Sequence, residues 1–354
     1  MSPPPRPRST LLAALAVLAA ALGAAGGCGT SSVKSATQGG GAPTTEGGGG
    51  LGGTGTAGAG GGGAPPAGAG GASTGPTDFC GSCTLQSGCL ALANGAIDEA
   101  SGLAASALHD GAYYLHNDSG DAPRFFATNC AGDDLGTFTI TGATAVDWED
   151  MARGPCDPAL PPAARNNSCL FFADIGDNSL VRDDYVLYRT PEPTQLAAGP
   201  HTVTADKLPF AYPDGSHDAE TLLVHPLTGE MAIVTKVDSR GLSGVYVFPT
   251  PLTPGAVATL TKVADVTPPT GSIRITSGAV HPQAAGILLR TYTSLFFYPL
   301  AEGQSLGPAL AAAPCDIPVM LELQGESVSF TPTGTGYVTV SEKTGQSLHF
   351  AACD

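Results

Sequence analysis

Three glutamates recur in short polar segments that open similar apolar runs. They are Glu149 in Asp147-Trp-Glu-Asp150, Glu220 in Asp218-Ala-Glu-Thr221 and Glu326 in Gly325-Glu-Ser327. Turns favour Gly, Pro, Asn, Asp and Ser, so turn chemistry does not explain a recurrent Glu. Carboxylate oxygens gathered in one place are the ligands that Ca²⁺ prefers, six to eight to an ion. We therefore predict that Glu149, Asp218, Glu220 and Glu326 bind a metal, with calcium as the candidate ion.

Basic and aromatic residues accompany these carboxylates. Lys236 and Arg290 follow apolar runs, His217 precedes Asp218, and Trp148 is the only tryptophan of the chain. We predict Trp148, His217, Lys236 and Arg290 as ligand-binding residues, with the indole stacking on a ligand. The alternatives are structural: Trp148 packs between repeated units, and the carboxylates form turns, cap strands or pair with the basic residues.

A repeat positions these residues. Units with an acidic start, a short strand, a Gly- or Pro-containing turn, a second strand, a polar loop and a third strand begin near Glu99, Glu149, Glu220, Ser277 and Glu326. Repeats of about 50 to 70 residues built from short strands are typical of a β-propeller. We predict an all-β fold, a single β-propeller of five blades, with six as the alternative. Strands at 201–204 and 208–212 are assigned to the outer strand of blade two and its exit loop.

The topology of a blade brings the polar residues together. In an antiparallel sheet, the start of the first strand and the end of the second lie on the same side. The recurrent glutamates and the loops that contain Asp118, Lys236 and Glu342 should therefore surround one opening of the central channel. The turns of His225 and His281 should lie on the opposite face, and we interpret both histidines as structural.

Eight of the nine cysteines follow Cys28, an even number that favours disulfides in an exported protein. The closest pair outside the Cys80–Cys89 cluster, Cys156 and Cys169, should close a Pro-rich loop. We expect the segment Cys89–Leu92 to complete the last blade, with a disulfide from that region to Cys353. A metal site at Cys80, Cys83 and Cys89 is the alternative for that cluster.

The first 78 residues have the composition of an export signal and a tether. Residues 1–28 combine Arg6 and Arg8 with a short apolar stretch and small residues before Cys28, which resembles the lipidation site of bacterial lipoproteins. Residues 29–78 are rich in Gly, Ala and Thr and predict a disordered linker. The propeller should then occupy 79–354, held at the cell envelope, in the outer membrane or at the cell surface, by a lipid on Cys28.

Charge and motifs exclude several classes of function. The net charge is −16, which argues against nucleic acid as a partner because its binding requires a basic surface. The segment Gly325-Glu-Ser-Val-Ser329 lacks the last glycine of the G-x-S-x-G nucleophile motif, and no P-loop or zincin motif is present. We expect a monomer that contacts the membrane through its lipid alone and binds a small molecule or a surface partner.

The segments Asp218-Ala-Glu220, Thr235-Lys236 and Gly241-Leu-Ser-Gly-Val-Tyr246 resemble those of the phytase-like and TolB-like bacterial propellers. That resemblance implies Ca²⁺ on Glu149, Glu220 and Glu326, and phosphate on Lys236 and Arg290. The leading hypothesis is a ligand-binding module that uses an acidic channel mouth, and the alternative is a calcium-dependent phosphoesterase. A quinone-dependent sugar dehydrogenase has less support because no His–Arg pair is evident at the mouth.

Overall fold

A computed structural model describes residues 79–161 and 167–353 of the chain. The predicted signal segment, its lipidation site Cys28 and the predicted linker lie outside the described residues. Within the described ranges, no helix combines the length and the apolar character needed to cross a membrane.

The described residues form an almost entirely β structure with two short helical segments, α1 (Phe79–Ser82) and α2 (Leu306–Leu310). In chain order the strands are β1 (Cys83–Gln86), β2 (Ala100–Ala105), β3 (Ala112–Asn117), β4 (Arg124–Asn129), β5 (Gly136–Thr141), β6 (Trp148–Pro155), β7 (Ser168–Asp174), β8 (Val186–Pro191), β9 (Pro200–Thr204), β10 (Asp206–Ala211), β11 (Ala219–Val224), β12 (Met231–Thr235), β13 (Ser243–Val247), β14 (Ala258–Thr259), β15 (Thr261–Val266), β16 (Ile275–Val280), β17 (Gly286–Thr291), β18 (Leu295–Pro299), β19 (Cys315–Ile317), β20 (Gly325–Phe330), β21 (Gly336–Ser341) and β22 (His349–Cys353).

The strands form five sheets, and the prediction of a five-bladed propeller is confirmed. From the channel outward the sheets are β2-β3-β4-β5-β9, β6-β7-β8-β10-β14, β11-β12-β13-β15, β16-β17-β18-β19 and β20-β21-β22-β1. We number these blades one to five. The five innermost strands pack against one another in the order β2, β6, β11, β16, β20, and β20 returns to β2. The ring is therefore closed, and each blade buries both faces between its neighbours.

The sequence pattern of each strand follows from its distance to the channel. The residues of β2, β11 and β20 are buried throughout, because an inner strand has a neighbouring blade on each side. Exposed and covered residues alternate along the outer strands β9 and β15, as expected of a sheet edge with one solvated face. The alternation marks the outside of the propeller.

The ring is closed by the N-terminal strand, but not by the predicted segment. The strand β1 pairs antiparallel with β22 as the outer strand of blade five, whereas Cys89–Leu92 contributes only an isolated bridge between Ala91 and Ser347. Disulfides Cys83–Cys353 and Cys80–Cys315 tie the N-terminal segment to blades five and four. Closure by a strand from the other terminus removes an exposed sheet edge.

Two further disulfides complete the set. The predicted Cys156–Cys169 bond is confirmed, and Cys89 pairs with Cys130. The alternative of a metal site at the first three cysteines of the domain is wrong, because each of them is in a disulfide. Four disulfides are typical of proteins that fold in an oxidising compartment.

The outer strands of blades one and two differ from the sequence assignment. The strand β9 belongs to blade one, where it pairs in parallel with β5. The next strand, β10, is the fourth strand of blade two and pairs antiparallel with β8. The chain therefore returns to blade one after it has built three strands of blade two. A local sequence pattern cannot show this, because parallel pairing with a distant strand leaves no turn between the partners.

Candidate functional site

A β-bulge begins the inner strand of every blade at the same place. The pairing with the second strand shifts register between Trp148 and Asp150, and at the equivalent places in the other four blades. The extra residue of a bulge re-aims its side chain. It is Glu149, Glu220 and Glu326 in blades two, three and five, which explains the spacing of the recurrent glutamates.

In blades one and four, the bulge does not lie at the residue that the sequence repeat predicts. In blade four the extra residue is Thr276, one residue before the predicted Ser277. In blade one the bulge contains Ser101, two residues after the predicted Glu99. These two hydroxyls join neighbouring inner strands: Ser101 donates to the carbonyl of Glu149 and Thr276 to that of Gly325. The blades without a bulge glutamate therefore use the position for blade-to-blade contact.

Three carboxylates converge at this face of the ring, between blades one and two. Asp118, Asp147 and Glu149 each place an oxygen within 4.8 Å of the other two. Asp118 follows the second strand of blade one, while Asp147 and Glu149 begin the inner strand of blade two. We call these three residues the acidic triad. Three oxygen ligands of this kind can hold a divalent cation that completes its shell with water.

Glu149 is the most deeply buried member of the acidic triad. Its side chain is 4% exposed, and its carboxylate has no hydrogen-bond or ion-pair partner among the residues that the structure describes. Burial, followed by the charge of Asp118, raises the pKa of Glu149 well above its ordinary value, and Lys236 opposes this effect. Burying a carboxylate without a partner is costly, so a proton or a cation at this position would stabilise the folded state.

The pKa values of the other two members are also raised. Burial, with a further contribution from Asp147, raises the pKa of Asp118 to about 6. Burial also raises the pKa of Asp147, and Arg182 opposes this effect. The guanidinium of Arg182 donates to the carbonyl of Gly176 and pairs with Asp174 at 2.8 Å. Arg182 is therefore held beside the acidic triad by Gly176 and Asp174, and it forms no ion pair with a carboxylate of the triad.

Gly176 provides the space in which the triad converges. A β-carbon at this position would overlap Oε1 of Glu149 and Oδ2 of Asp147. The backbone nitrogen of Gly176 donates to the carbonyl of Asp147 at 3.1 Å, which holds the loop against the start of β6. Two of the three carboxylates therefore lie over a residue that has no side chain.

The predicted ligands Asp218 and Glu220 are paired with a lysine. The ammonium of Lys236 contacts Oε1 of Glu220 and lies 3.6 Å from Oδ2 of Asp218. The other oxygen of Asp218 accepts a hydrogen bond from the backbone of Asp177 at 2.8 Å. The structure brings both carboxylates and Lys236 to the mouth, as the topology predicts, but as an ion-pair cluster next to the acidic triad.

Glu326 and Glu342 form an acidic pair on the blade-five side of the mouth. Burial, followed by the charge of Glu342, raises the pKa of Glu326 to about 8. Glu342 also pairs with Lys343 at 3.1 Å. Tyr292 from blade four is electrostatically linked to this pair, and burial and Glu326 raise its pKa to about 12. The mouth therefore holds seven carboxylates and a phenol, with Lys236 paired to Asp218 and Glu220 and Lys343 paired to Glu342.

Asp150 is a central residue that the sequence analysis did not single out as a site residue. It is fully buried, and its carboxylate accepts hydrogen bonds from the backbone of Met151 and Leu222 at 2.9 Å and from the hydroxyl of Ser277 at 3.2 Å. These donors come from the inner strands of blades two, three and four. Asp150 therefore joins three blades across the channel, below the bulge. No sequence signal separates it from Glu149, its neighbour.

The structure does not bring the Trp148 indole to the opening. It is 1% exposed, stacks on Phe172 and donates to the carbonyl of Thr144 at 3.0 Å. It belongs to the hydrophobic cluster between blades one and two. Trp148 therefore packs between blades, which is the structural alternative for this residue.

His217 lies over the outer half of blade three. Its Nε2 is 2.9 Å from Oδ1 of Asp214 and 3.0 Å from the hydroxyl of Tyr246, and its ring packs edge-on against Tyr212. Tyr246 belongs to the third strand from the channel. The structure therefore places His217 in a separate Asp–His–Tyr cluster, away from the acidic triad.

Arg290 is buried inside the interface of blades four and five. Its side chain is 1% exposed, with Nη2 at 2.6 Å from Oε2 of Glu322 and Nη1 at 3.0 Å from the carbonyl of Ser327. The other oxygen of Glu322 accepts from Thr339 at 2.7 Å. Arg290 is the residue before the last residue of β17. Its side chain extends between blades four and five instead of into the mouth.

The histidines of the opposite face are structural, as predicted. Nδ1 of His225 accepts from the backbone of Leu227 and Thr228 at 3.2 Å. His281 accepts from Gln283 at 3.1 Å and contacts the carbonyl of Gly334 at 3.0 Å. Both rings fix the turn between the first two strands of a blade.

Asp118 and Asp147 were placed at the mouth by topology but were not chosen as ligands. A position signal exists for Asp118, because Lys236, Tyr292 and Glu342 are the first residues after the second strand of blades three, four and five. Asp118 is the first residue after the second strand of blade one. The position is acidic in blades one and five, lysine in blade three, tyrosine in blade four and Ile175 in blade two, so its role is visible only when the blades are superimposed.

No protein-family model matches the chain, and no curated protein is similar to it.

Proposed function

We propose that this protein is an envelope-attached binding module whose acidic channel mouth holds a divalent cation and, through it, a ligand. The observation that carries this proposal is the buried, unpartnered carboxylate of Glu149 within 4.8 Å of Asp118 and Asp147 oxygens. Three carboxylates that repel one another at neutral pH are stabilised together by a cation. Calcium is the first candidate because all the ligands are oxygens.

Two features support a role in binding at this face. The open coordination positions of the cation would point into the channel mouth, where Tyr292 supplies a phenol. The same face has six exposed aliphatic side chains in the loops that begin the inner strands or follow the second strands: Val146, Leu180, Val181, Ile273, Leu321 and Leu323. A charged centre with an apolar periphery suits a partner with both kinds of surface.

The phosphoesterase hypothesis has less support in the geometry. The two cations that would bind phosphate are Lys236, which is paired with Glu220 and Asp218, and Arg290, which is paired with Glu322. Neither guanidinium nor ammonium is free to receive a phosphate without breaking a buried ion pair. A binding module that holds its ligand through the metal does not require either of these ion pairs to break.

Attachment at the envelope is part of the proposal. The four disulfides support an oxidising location, and Cys28 with residues 29–78 would supply a lipid and a tether. Labelling of growing cells with a fatty acid, followed by recovery of the full chain and of a Cys28→Ala variant, tests this part. Label in the full chain alone is the expected result.

Calorimetric titration of the chelator-treated protein with Ca²⁺ at pH 7.5 tests the metal site. We expect one binding event that Glu149→Gln removes and that Glu302→Gln, an exposed surface change, retains. Equal binding by both variants would refute the proposal. A phosphatase assay with and without chelator separates the hypotheses, because chelator-sensitive turnover would favour the phosphoesterase.

A further inference from the structure

A second recess lies at the opposite end of the channel from the acidic triad. It has a cavity volume of about 40 Å³, it is open at one end, and the last residues of the inner strands line it. Ala279, Val280 and Pro282 are the partly exposed apolar residues of its lining. Arg153 is the one charged residue in the lining.

Arg153 is a partly free cation in this recess. Its Nε donates to the carbonyl of Ala105 at 3.0 Å, which fixes the plane of the guanidinium. Its two terminal nitrogens have no hydrogen-bond or ion-pair partner among the residues that the structure describes. A guanidinium held in this way keeps the pair of parallel N–H groups that matches a carboxylate.

The nearest carboxylate that acts on Arg153 is already saturated. Glu192 is buried and accepts from Ser106 and Ser168 at 2.5 Å and from the backbone of Ala107 at 3.0 Å. Its charge raises the pKa of Arg153, but burial lowers that pKa by more. The carboxylate of Glu192 therefore holds the segment 106–107 and Ser168. It forms no ion pair with Arg153 among the residues that the structure describes.

We propose that this recess binds a short aliphatic monocarboxylate, with the carboxylate on the terminal nitrogens of Arg153 and the alkyl chain against Ala279, Val280 and Pro282. A doubly charged phosphate would find only one cation here, because the hydroxyls of Ser329 and Thr331 in the lining already donate to backbone carbonyls. A neutral alcohol would leave the guanidinium unpaired. The recess is separated from the mouth by Asp150, so this site does not depend on the proposed metal site.

Titration calorimetry of the full chain with butyrate tests this inference, with 1-butanol, butylammonium and inorganic phosphate as matched probes. Butyrate should bind, and each of the other three should bind at least about tenfold more weakly, since one charge-assisted pair accounts for such a factor. Arg153→Met should weaken butyrate by about tenfold or more, whereas Arg240→Met, an exposed change in another loop, should leave it unchanged.

Two further variants keep the test decisive if Arg153→Met does not fold. Arg153→Lys retains the charge but loses the paired N–H groups, and Ala279→Leu fills part of the recess while Arg153 stays in place. Both should weaken butyrate. The inference is wrong if butyrate does not bind at millimolar concentration, if 1-butanol or phosphate binds as well, or if the folded variants all retain the affinity of the parent.

Discussion

A β-carbon on Gly176 would overlap Oε1 of Glu149. The glutamate is placed by the bulge at the start of β6 and the glycine by the loop after β7, so two separate segments leave this space together. Asp147 uses the same space. The relationship matters for function because the carboxylates of the acidic triad can converge only while position 176 has no side chain.

Gly176→Ala should weaken divalent-cation binding with little loss of stability. The added methyl group would displace Glu149 and Asp147, so the Ca²⁺ affinity measured by calorimetry should fall at least about tenfold. Gly95→Ala is the matched control, because a β-carbon there meets no atom within 4 Å and its backbone is not left-handed. Unchanged affinity in the Gly176 variant would show that the triad is not the metal site.

The affinity for Ca²⁺ should rise with pH between 5 and 8. A cation requires the ionised carboxylates, while the pKa of Asp118 is raised to about 6 and that of Glu149 is also raised. Protons therefore compete with the metal over this range. Calorimetry at pH 5, 6, 7 and 8 measures the trend, and Asp118→Asn should give weaker binding with a smaller change near pH 6. A pH-independent affinity would contradict this.

In the presence of chelator, the free energy of unfolding should fall as the pH rises from 4.5 to 8. The pKa of Glu326 is 4.5 in an ordinary environment and about 8 in the folded protein, so the folded state binds more protons than the unfolded state between these values. The stability due to the protonated group is complete below pH 4.5 and is lost as the pH approaches 8.

Urea unfolding of the parent and of Glu326→Gln at pH 5 and pH 8 measures this effect. The variant, which is neutral at both values, should be more stable than the parent at pH 8 by on the order of 2 kcal/mol and should differ little at pH 5. Glu302→Gln, on the exposed surface, serves as the control. A Glu326 variant with the same pH dependence as the parent would sink the assignment.

Arg290→Met should destabilise the protein by about 3–5 kcal/mol, because it leaves the buried Glu322 without its cation. The double variant Arg290→Met with Glu322→Gln should recover part of this loss, since no buried charge remains. A double-mutant cycle by urea unfolding gives the coupling. Additive effects would mean that the 2.6 Å pair does not act as a unit.

The repeat and its chemistry were predictable from local sequence. Short strands separated by Gly and Pro turns, at a period of about 50 to 70 residues, indicate blades, and the recurrent Glu149, Glu220 and Glu326 mark their inner strands. The antiparallel order of a blade then places these residues at one mouth. The Cys156–Cys169 disulfide was also predictable, because the two cysteines flank one short Pro-rich loop.

Pairings between distant segments were not predictable. The closure of blade five by β1 and the parallel addition of β9 to blade one involve segments with no turn between them. Cys83 and Cys89 have similar surroundings in the sequence, and only the register of β1 against β22 selects Cys83 as the partner of Cys353.

The amino-acid sequence by itself determined the period, the inner strands and the acidic character of one channel mouth, because these depend on residue type and local spacing. The tertiary structure alone decided which carboxylates meet. Glu149 joins Asp118 of the neighbouring blade, Glu220 meets Lys236, and Arg290 turns inward to Glu322. The physical reason is that a side chain at a bulge is directed by the packing of two blades against each other, which no single repeat contains.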